Sequence, residues 1–178
     1  LITRVLDVGA HGVMVAQIES AATATAVVAA TRYGPGGTRG TAGGRGSGWG
    51  LQMSAAEYQA AANAATFVSI QVETRVGVEQ IEGMAKVSGL DCLFVGLSDL
   101  SADLGVPGEW AAPELVAVLD RIETACAGEN LAVGYPATDP KMAKMLLDRG
   151  ARLIATADMT QLARAMTSFV TEVSAFVE

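Results

Sequence analysis

Five short runs of apolar residues, separated by longer segments that contain polar residues, predict five short strands. The predicted strands cover residues 13–17, 67–70, 92–95, 131–134 and 153–155. The runs at 67–70 and 92–95 are short, apolar and rich in β-branched or aromatic residues, which is typical of buried parallel strands. Longer segments with apolar residues at helical spacing separate the runs, so the pattern predicts an α/β fold.

The helical segments carry recognisable start and stop signals. The predicted helices cover residues 20–31, 54–65, 75–87, 113–127, 139–150 and 159–176, and residues 1–10 have the pattern of a helix end with Gly9 at its cap. Ser54 stands three residues before Glu57, the spacing of a capping box. Asp139 and Pro140 suit the N-cap and first position of a helix. The segment after Asp99 is predicted to be a loop with about one helical turn.

A glycine-rich segment covers residues 33–50 and contains nine glycines. Such a density of glycine predicts no regular element, because every glycine adds backbone freedom that folding must remove. A linker is one interpretation, but Arg39, Arg45 and Trp49 are unusual in a passive spacer, and long loops in compact domains are often lids or interface segments. No strand directly precedes the glycines, which argues against a nucleotide-binding loop.

Five strand-helix units fit two architectures. A closed (β/α)8 barrel has eight units and about 250 residues. The 178 residues are therefore either an open doubly wound sheet or a single domain portion made of roughly the last five β/α units of a barrel. The periodicity of apolar residues is compatible with both architectures. The helical end before the first strand favours the barrel portion.

Composition narrows the class of protein. Hydrophobic residues make up 51% of the chain and charged residues 17%, which is typical of a folded domain with a sizeable core. A net charge of −7 disfavours binding to nucleic acid, and no apolar run is long enough to predict a membrane span. Cys92 and Cys126 show neither metal-ligand nor disulfide spacing, so we expect a reducing, cytoplasmic setting.

Polar residues follow two neighbouring predicted strands. Gln71 and Glu73 end the second strand, and Ser98 and Asp99 follow the third. The carboxyl ends of parallel strands share one rim, where sites of barrel proteins lie. One carboxylate alone is more often a solvated acid or a helix cap. Two carboxylates on one rim can hold a hard divalent cation, so Glu73 and Asp99 predict a site for Mg²⁺ or Mn²⁺.

Several motifs together resemble one known family. They are LDVGA at residues 6–10, VMVAQ at 13–17, TRYGPGGTRG at 31–40, QVET at 71–74, VGLSDLSADLG at 95–105 and LLDRGARLIATADMTQLARA at 146–165. The chain resembles the HpcH/HpaI aldolases, metal-dependent class II enzymes of the 4-hydroxy-2-oxoheptanedioate aldolase type that split or join pyruvate and an aldehyde. The resemblance implies a TIM barrel of the phosphoenolpyruvate/pyruvate superfamily, of which this chain is the C-terminal portion.

The resemblance also implies roles for individual residues. Glu73 and Asp99 become ligands of Mg²⁺ or Mn²⁺, with Co²⁺ as a further candidate, and Gln71 contacts bound pyruvate. Gly96, Ser98 and Asp99 bind the substrate, with the backbone around Gly96 and Ser98 holding its carboxylate. Asp7 falls where the family has an acid that makes the catalytic histidine more basic. That histidine and an arginine are expected upstream of Leu1, and His11 is interpreted as a surface or packed side chain.

The implied function is cleavage or formation of a 4-hydroxy-2-oxo acid through a metal-stabilised pyruvate enolate, as in the catabolism of aromatic compounds. We expect a homo-oligomer, either dimer-based or hexameric, and an inactive product from residues 1–178 alone. Two alternatives stay open: an enzyme like the citrate lyase β subunit or malyl-CoA lyase, and a catalytically inactive assembly subunit.

Overall fold

The computed structural model describes residues 1–41 and 44–176, and all five predicted strands are present. The strands are β1 (Gly12–Val15), β2 (Phe67–Val72), β3 (Cys92–Val95), β4 (Ala132–Pro136) and β5 (Leu153–Ala155). The helices are α1 (Ile2–Asp7), α2 (Ala21–Thr31), α3 (Ala55–Ala65), α4 (Arg75–Glu79), α5 (Ile81–Ala85), α6 (Leu97–Asp103), α7 (Pro113–Gly128), α8 (Pro140–Asp148) and α9 (Asp158–Ser174). Within the described ranges, no helix is long and apolar enough to cross a membrane.

The strands form one parallel sheet in the order β1-β2-β3-β4-β5. A doubly wound sheet reverses its strand order at a switch point, and this sheet does not. Because crossovers between parallel strands are right-handed, a sequential order places the connecting helices on one face. The structure therefore decides between the two predicted architectures. The five units form a half-barrel with the strand order of a (β/α)8 barrel.

The two faces of the sheet have different environments. Val68, Ile70 and Val72 alternate along β2 toward the helices and are fully buried in the main core. On the opposite face, which corresponds to a barrel interior, Met14 and Phe67 remain 42% and 40% exposed. Core packing against helices thus fixes which face of each strand points inward and which residues reach the rim.

Local cap predictions are confirmed. The Ser54 hydroxyl accepts a hydrogen bond from the Glu57 N–H, and the Glu57 carboxylate accepts one from the Ser54 N–H at 2.8 Å. The Asp139 carboxylate accepts the N–H groups of Lys141 and Met142 at the start of α8. Both caps satisfy donors that a helix start leaves free.

Three predictions about regular structure were wrong in detail. The predicted helix over residues 75–87 is divided into α4 and α5 at Gln80, whose backbone is not helical (φ −101°, ψ 9°). Helix α6 supplies about one turn in the segment after Asp99, as predicted, but it begins two residues before Asp99, at Leu97. The glycine-rich segment contains a 3₁₀ helix at Arg45–Gly50, although Gly48 and Trp49 interrupt it in left-handed conformation. Residues 42–43 of this segment, like residues 177–178, lie outside the described residues.

Candidate functional site

Glu73 lies at the carboxyl end of β2, and both of its carboxylate oxygens accept hydrogen bonds. The backbone N–H of Gln17 donates to Oε1 at 2.9 Å, and Nε2 of Gln71 donates to Oε2 at 2.5 Å. Gln71 and Glu73 stand two residues apart, so their side chains emerge on the same, interior face. Glu73 is only 6% exposed. The carboxylate is therefore held in place before any ligand arrives.

The end of β1 is shaped to make these contacts. Gln17 has a left-handed backbone (φ 58°), which typically costs on the order of 1 kcal/mol for a residue with a side chain. In this conformation its N–H points to Glu73, and the next N–H, of Ile18, donates to the Gln71 carbonyl at 3.2 Å. The Thr74 hydroxyl donates to Oε1 of Glu19 at 2.7 Å. The segment that follows β1 thus contacts residues 71, 73 and 74 at the end of β2.

Gly96 brings the end of β3 against the same two side chains. A Cβ atom at this position would lie 2.7 Å from both Nε2 of Gln71 and Oε2 of Glu73, which is too close for any side chain. Ser98 and Asp99 follow in the first turn of α6 and are exposed. The structure therefore brings Gln71, Glu73 and Gly96 into contact and places Ser98 and Asp99 beside them on the same rim.

Asp7 is not brought to this rim within the chain. It ends α1 and precedes β1, so it lies at the amino-terminal edge of the sheet. Its Oδ1 accepts a hydrogen bond from Nη2 of Arg39 at 2.8 Å, and the Arg39 guanidinium lies 4.5 Å from the centre of the Tyr33 ring. His11 is exposed at the same edge. The role of Asp7 in catalysis stays a prediction.

Several shifted pKa values belong to groups that pack away from the rim. Burial raises the pKa of the Cys126 thiol in α7 to about 12. Burial first, and then the hydrogen bond to Glu123, raises the pKa of the Tyr135 phenol, which faces the helices from β4. Burial also raises the pKa of the Tyr33 phenol, and this effect exceeds the lowering of the pKa by the positive charge of Arg39. These shifts report on packing of the helical layer and the amino-terminal edge.

A further pair of hydrogen bonds at the rim, between Arg75 and Asp103, was not predicted from the sequence. The Arg75 N–H donates to Oδ2 of Asp103 at 2.7 Å, and Nε of Arg75 donates to the Asp103 carbonyl at 2.8 Å. Asp103 belongs to the SADLG run, so the motif itself contained the signal. The contact of the Gln17 backbone with Glu73 had no such signal, because a left-handed glutamine cannot be recognised from residue type.

The donor set suits a hard divalent cation. Glu73 and Asp99 offer carboxylate oxygens, which Mg²⁺ and Mn²⁺ prefer, and the glycine at position 96 keeps the space beside Glu73 free of a side chain. Over residues 1–41 and 44–176, no three His, Cys, Asp or Glu side chains converge as a metal-binding group. Two protein carboxylates with solvent or substrate oxygens completing the coordination fit this arrangement better than a structural zinc site does.

Comparison with known proteins shows which family and which proteins the chain is similar to. The family described as HpcH/HpaI aldolase/citrate lyase matches residues 1–165. A 2-keto-3-deoxy-L-rhamnonate aldolase of Klebsiella pneumoniae is 37% identical over 164 residues, covering 91% of this chain and 60% of that protein. The chain thus spans about 60% of the length of the curated relatives it matches.

Solved structures agree with the half-barrel. An HpcH/HpaI aldolase/citrate lyase family protein from Burkholderia cenocepacia superposes with a TM-score of 0.90 at 36% identity, over 98% of this chain and 69% of that one. An HpcH/HpaI aldolase from Desulfitobacterium hafniense gives a TM-score of 0.87 at 28% identity, over 97% and 67% of the two chains.

Proposed function

Because the chain belongs to the HpcH/HpaI aldolase/citrate lyase family, we propose that it carries the cation-binding and pyruvate-binding rim of a class II aldolase. The reaction is the cleavage or formation of a 4-hydroxy-2-oxo acid from pyruvate and an aldehyde. The observation that carries the proposal is the Glu73 carboxylate, fixed by Gln17 and Gln71 on the same rim as Asp99. A buried, pre-oriented carboxylate beside an exposed one suits a cation that must also bind substrate.

In this proposal each rim residue has a distinct task. Glu73 and Asp99 hold the cation, which when bound supplies positive charge that stabilises an enolate oxygen. Gln71 orients Glu73 with one amide proton and has a second to offer to pyruvate. The backbone around Gly96 and Ser98, where α6 begins, receives the pyruvate carboxylate. The Gly96 N–H itself already donates to the Val72 carbonyl at 2.9 Å, so the donors come from the residues that follow it. Asp7 lies at the opposite edge of the sheet within the chain, and its proposed role, raising the basicity of the catalytic histidine, is the one that the resemblance implies.

The names of the relatives support a proposed substrate class. The K. pneumoniae protein is named for 2-keto-3-deoxy-L-rhamnonate, which is a 2-oxo acid of a deoxy sugar. A sugar-derived 2-oxo-3-deoxy acid is therefore our proposed substrate, with pyruvate and a hydroxyaldehyde as products. The family name also covers citrate lyase, but the named relatives favour the aldolase.

Calorimetric titration with Mn²⁺ tests the proposal in the intact protein. The parent should bind Mn²⁺, and Glu73→Ala should weaken binding at least about tenfold. Glu114→Ala is the matched control, because Glu114 is an exposed acid in the first turn of α7, and it should bind like the parent. Equal affinities for the parent and Glu73→Ala would show that Glu73 is no ligand and would contradict the proposal.

We also propose that residues 1–178 are one portion of a barrel domain and are inactive alone. Within the described residues, β1 and β5 each pair with one neighbour only, which leaves strand edges that invite aggregation. The isolated 178 residues should exchange pyruvate protons for deuterium, with Mn²⁺, at the rate of the metal alone. Soluble polypeptide that unfolds cooperatively and exchanges faster would contradict this.

A further inference from the structure

Helix α6 presents two aspartates on one face. Asp99 and Asp103 stand four residues apart, so their side chains lie one above the other along the helix. The opposite face is buried, with Leu97, Leu100 and Ser101 nearly or completely inaccessible. The buried face holds α6 against the core, and Asp103 on the exposed face makes contacts outside the helix.

Asp103 is bound to the segment that carries Glu73. Its Oδ2 accepts the backbone N–H of Arg75 at 2.7 Å, and its carbonyl accepts Nε of Arg75 at 2.8 Å. Arg75 comes two residues after Glu73 and is the first residue of α4, where the N–H has no partner inside the helix. The same residue pair therefore joins the helix of Asp99 to the strand end of Glu73 by two hydrogen bonds.

Charge gives a second reason for this pair. Two carboxylates four residues apart on a helix repel each other. The Arg75 guanidinium lies against the C-terminal end of α6, where it offsets the partial negative charge of the helix end. Asp99 is exposed at the rim.

We propose that Asp103 is a positioning residue, which fixes Asp99 relative to Glu73 through its hydrogen bond to the Arg75 N–H. This inference rests on the proposed cation site and adds a residue that does not itself touch the cation. Groups that orient ligands in this way typically change metal affinity 10- to 100-fold when removed.

The test measures Mn²⁺ affinity in the intact protein, from the signal of free Mn²⁺ in electron paramagnetic resonance. Asp103→Ala should bind Mn²⁺ about tenfold more weakly than the parent, whereas Asp103→Asn, which keeps an acceptor oxygen, should stay within about threefold. Both variants lose the charge, so the difference between them isolates the hydrogen bond. Parent-like affinity in Asp103→Ala, or equal losses in the two variants, would overturn the inference.

Asp91→Ala is the matched control. Oδ2 of Asp91 accepts the backbone N–H of Val68 at 2.8 Å, which is the same kind of contact at the other end of β2. Its removal should lower stability and leave Mn²⁺ affinity unchanged. A loss equal to that of Asp103→Ala would mean that general loosening of the sheet is responsible, and the inference would fail.

Two variants change Arg75, the donor of the hydrogen bond to Asp103, and provide the test if Asp103→Ala does not fold. Arg75→Pro removes the donating N–H at a helix position that tolerates proline, and Arg75→Ala removes only the guanidinium. Arg75→Pro should bind Mn²⁺ more weakly than Arg75→Ala, and equal affinities would overturn the inference. If instead neither the parent nor Glu73→Ala binds Mn²⁺, the proposed function fails, and the inference fails with it.

Discussion

At the scale of single residues, Gly96 sets how closely β3 approaches Glu73. A Cβ atom there would lie within 2.7 Å of three atoms of Gln71 and Glu73. We expect Gly96→Ala to push these side chains aside, to lower the free energy of unfolding by about 1 to 3 kcal/mol and to weaken Mn²⁺ binding. Urea unfolding and Mn²⁺ titration of the intact protein measure the two effects.

Gly128→Ala provides the control for that substitution. Gly128 ends α7, and a Cβ atom there would meet nothing within 4 Å. Alanine should stabilise this position by about 0.4 to 1 kcal/mol, since it restricts the unfolded chain, and Mn²⁺ affinity should not change. If Gly96→Ala behaved like Gly128→Ala, the close approach at the rim would have no energetic consequence.

Cys126 should make stability depend on alkaline pH. Burial raises its pKa from an ordinary value of 9.0 to about 12, so the thiol stays protonated in the fold while it ionises in the unfolded chain. Its contribution to stability is fully present below pH 9 and is lost as pH rises toward 12, with a slope of at most about 1.4 kcal/mol per pH unit. Cys126→Ala should flatten the pH profile of the urea midpoint in this range.

Ile122→Val separates titration from packing in the same helix. Ile122 is fully buried in α7 and does not ionise. Its truncation should lower the urea midpoint at every pH and keep the slope of the parent above pH 9. A Cys126→Ala profile parallel to that of Ile122→Val would contradict the role assigned to the thiol.

At the scale of elements, a polar network joins α7, α8 and β4. The Tyr135 hydroxyl donates to Oε1 of Glu123 at 2.7 Å, and Arg149 donates to both Glu123 oxygens at 2.9 Å. Glu123→Ala would leave the buried phenol without its acceptor and Arg149 with Asp120 alone, so we expect a loss of about 2 kcal/mol in unfolding free energy.

Asp148→Ala is the comparison for this network. It breaks the exposed ion pair of Lys144 and Asp148 within α8, which is worth less than about 0.5 kcal/mol because solvent screens it. Thermal or urea unfolding of the two variants should therefore differ by more than about 1 kcal/mol. Equal losses would show that the network adds nothing beyond a surface pair.

Local patterns were sufficient to predict the strands and most helices. The runs that form β3 and β5 were predicted with their observed bounds, because short apolar segments between polar turns carry enough information. The start of helix α6 was not predicted, because Gly96 alone separates the helix from β3 and no loop signal marks its first residue. The sequence could not distinguish a barrel from an open sheet, because the two architectures have the same spacing of apolar residues. The strand order in the structure distinguishes them.

The candidate site was only partly predictable for a related reason. Glu73, Gln71 and Asp99 were predicted because they follow strands directly. The hydrogen bonds around these residues were not predicted. The bond between Gln17 and Glu73 joins residues 56 positions apart, and the bond between Arg75 and Asp103 joins residues 28 positions apart. Hydrogen bonds between distant segments leave no period in the sequence, and a strained backbone has no fixed residue signature.

At the scale of the whole molecule, α9 keeps an apolar face in solvent. All its residues from position 161 onward are exposed, including Leu162, Met166, Phe169 and Val173. An exposed apolar face commonly marks an interface, so a homo-oligomer remains our prediction. Phe169→Asp should lower the mass measured by light scattering of the intact protein toward that of a monomer.

Thr171→Asp introduces the same charge on another side of α9 and should leave the mass unchanged. Thr171 is exposed, and Gln161 and Arg164 attach the helix to the Thr138 carbonyl near its start. A monomeric parent would contradict the prediction outright. An unchanged mass in Phe169→Asp would show that the subunits meet elsewhere.

The sequential strand order also has a kinetic consequence. Every strand pairs with the strand next to it along the chain, so contact order is low for a parallel sheet, and each unit can dock on its predecessor during synthesis. Glu73 and Asp99 belong to one strand-helix-strand unit. Once α6 has left the ribosome, nascent chains should therefore already pair β2 with β3 and hold the ends of both strands on one rim.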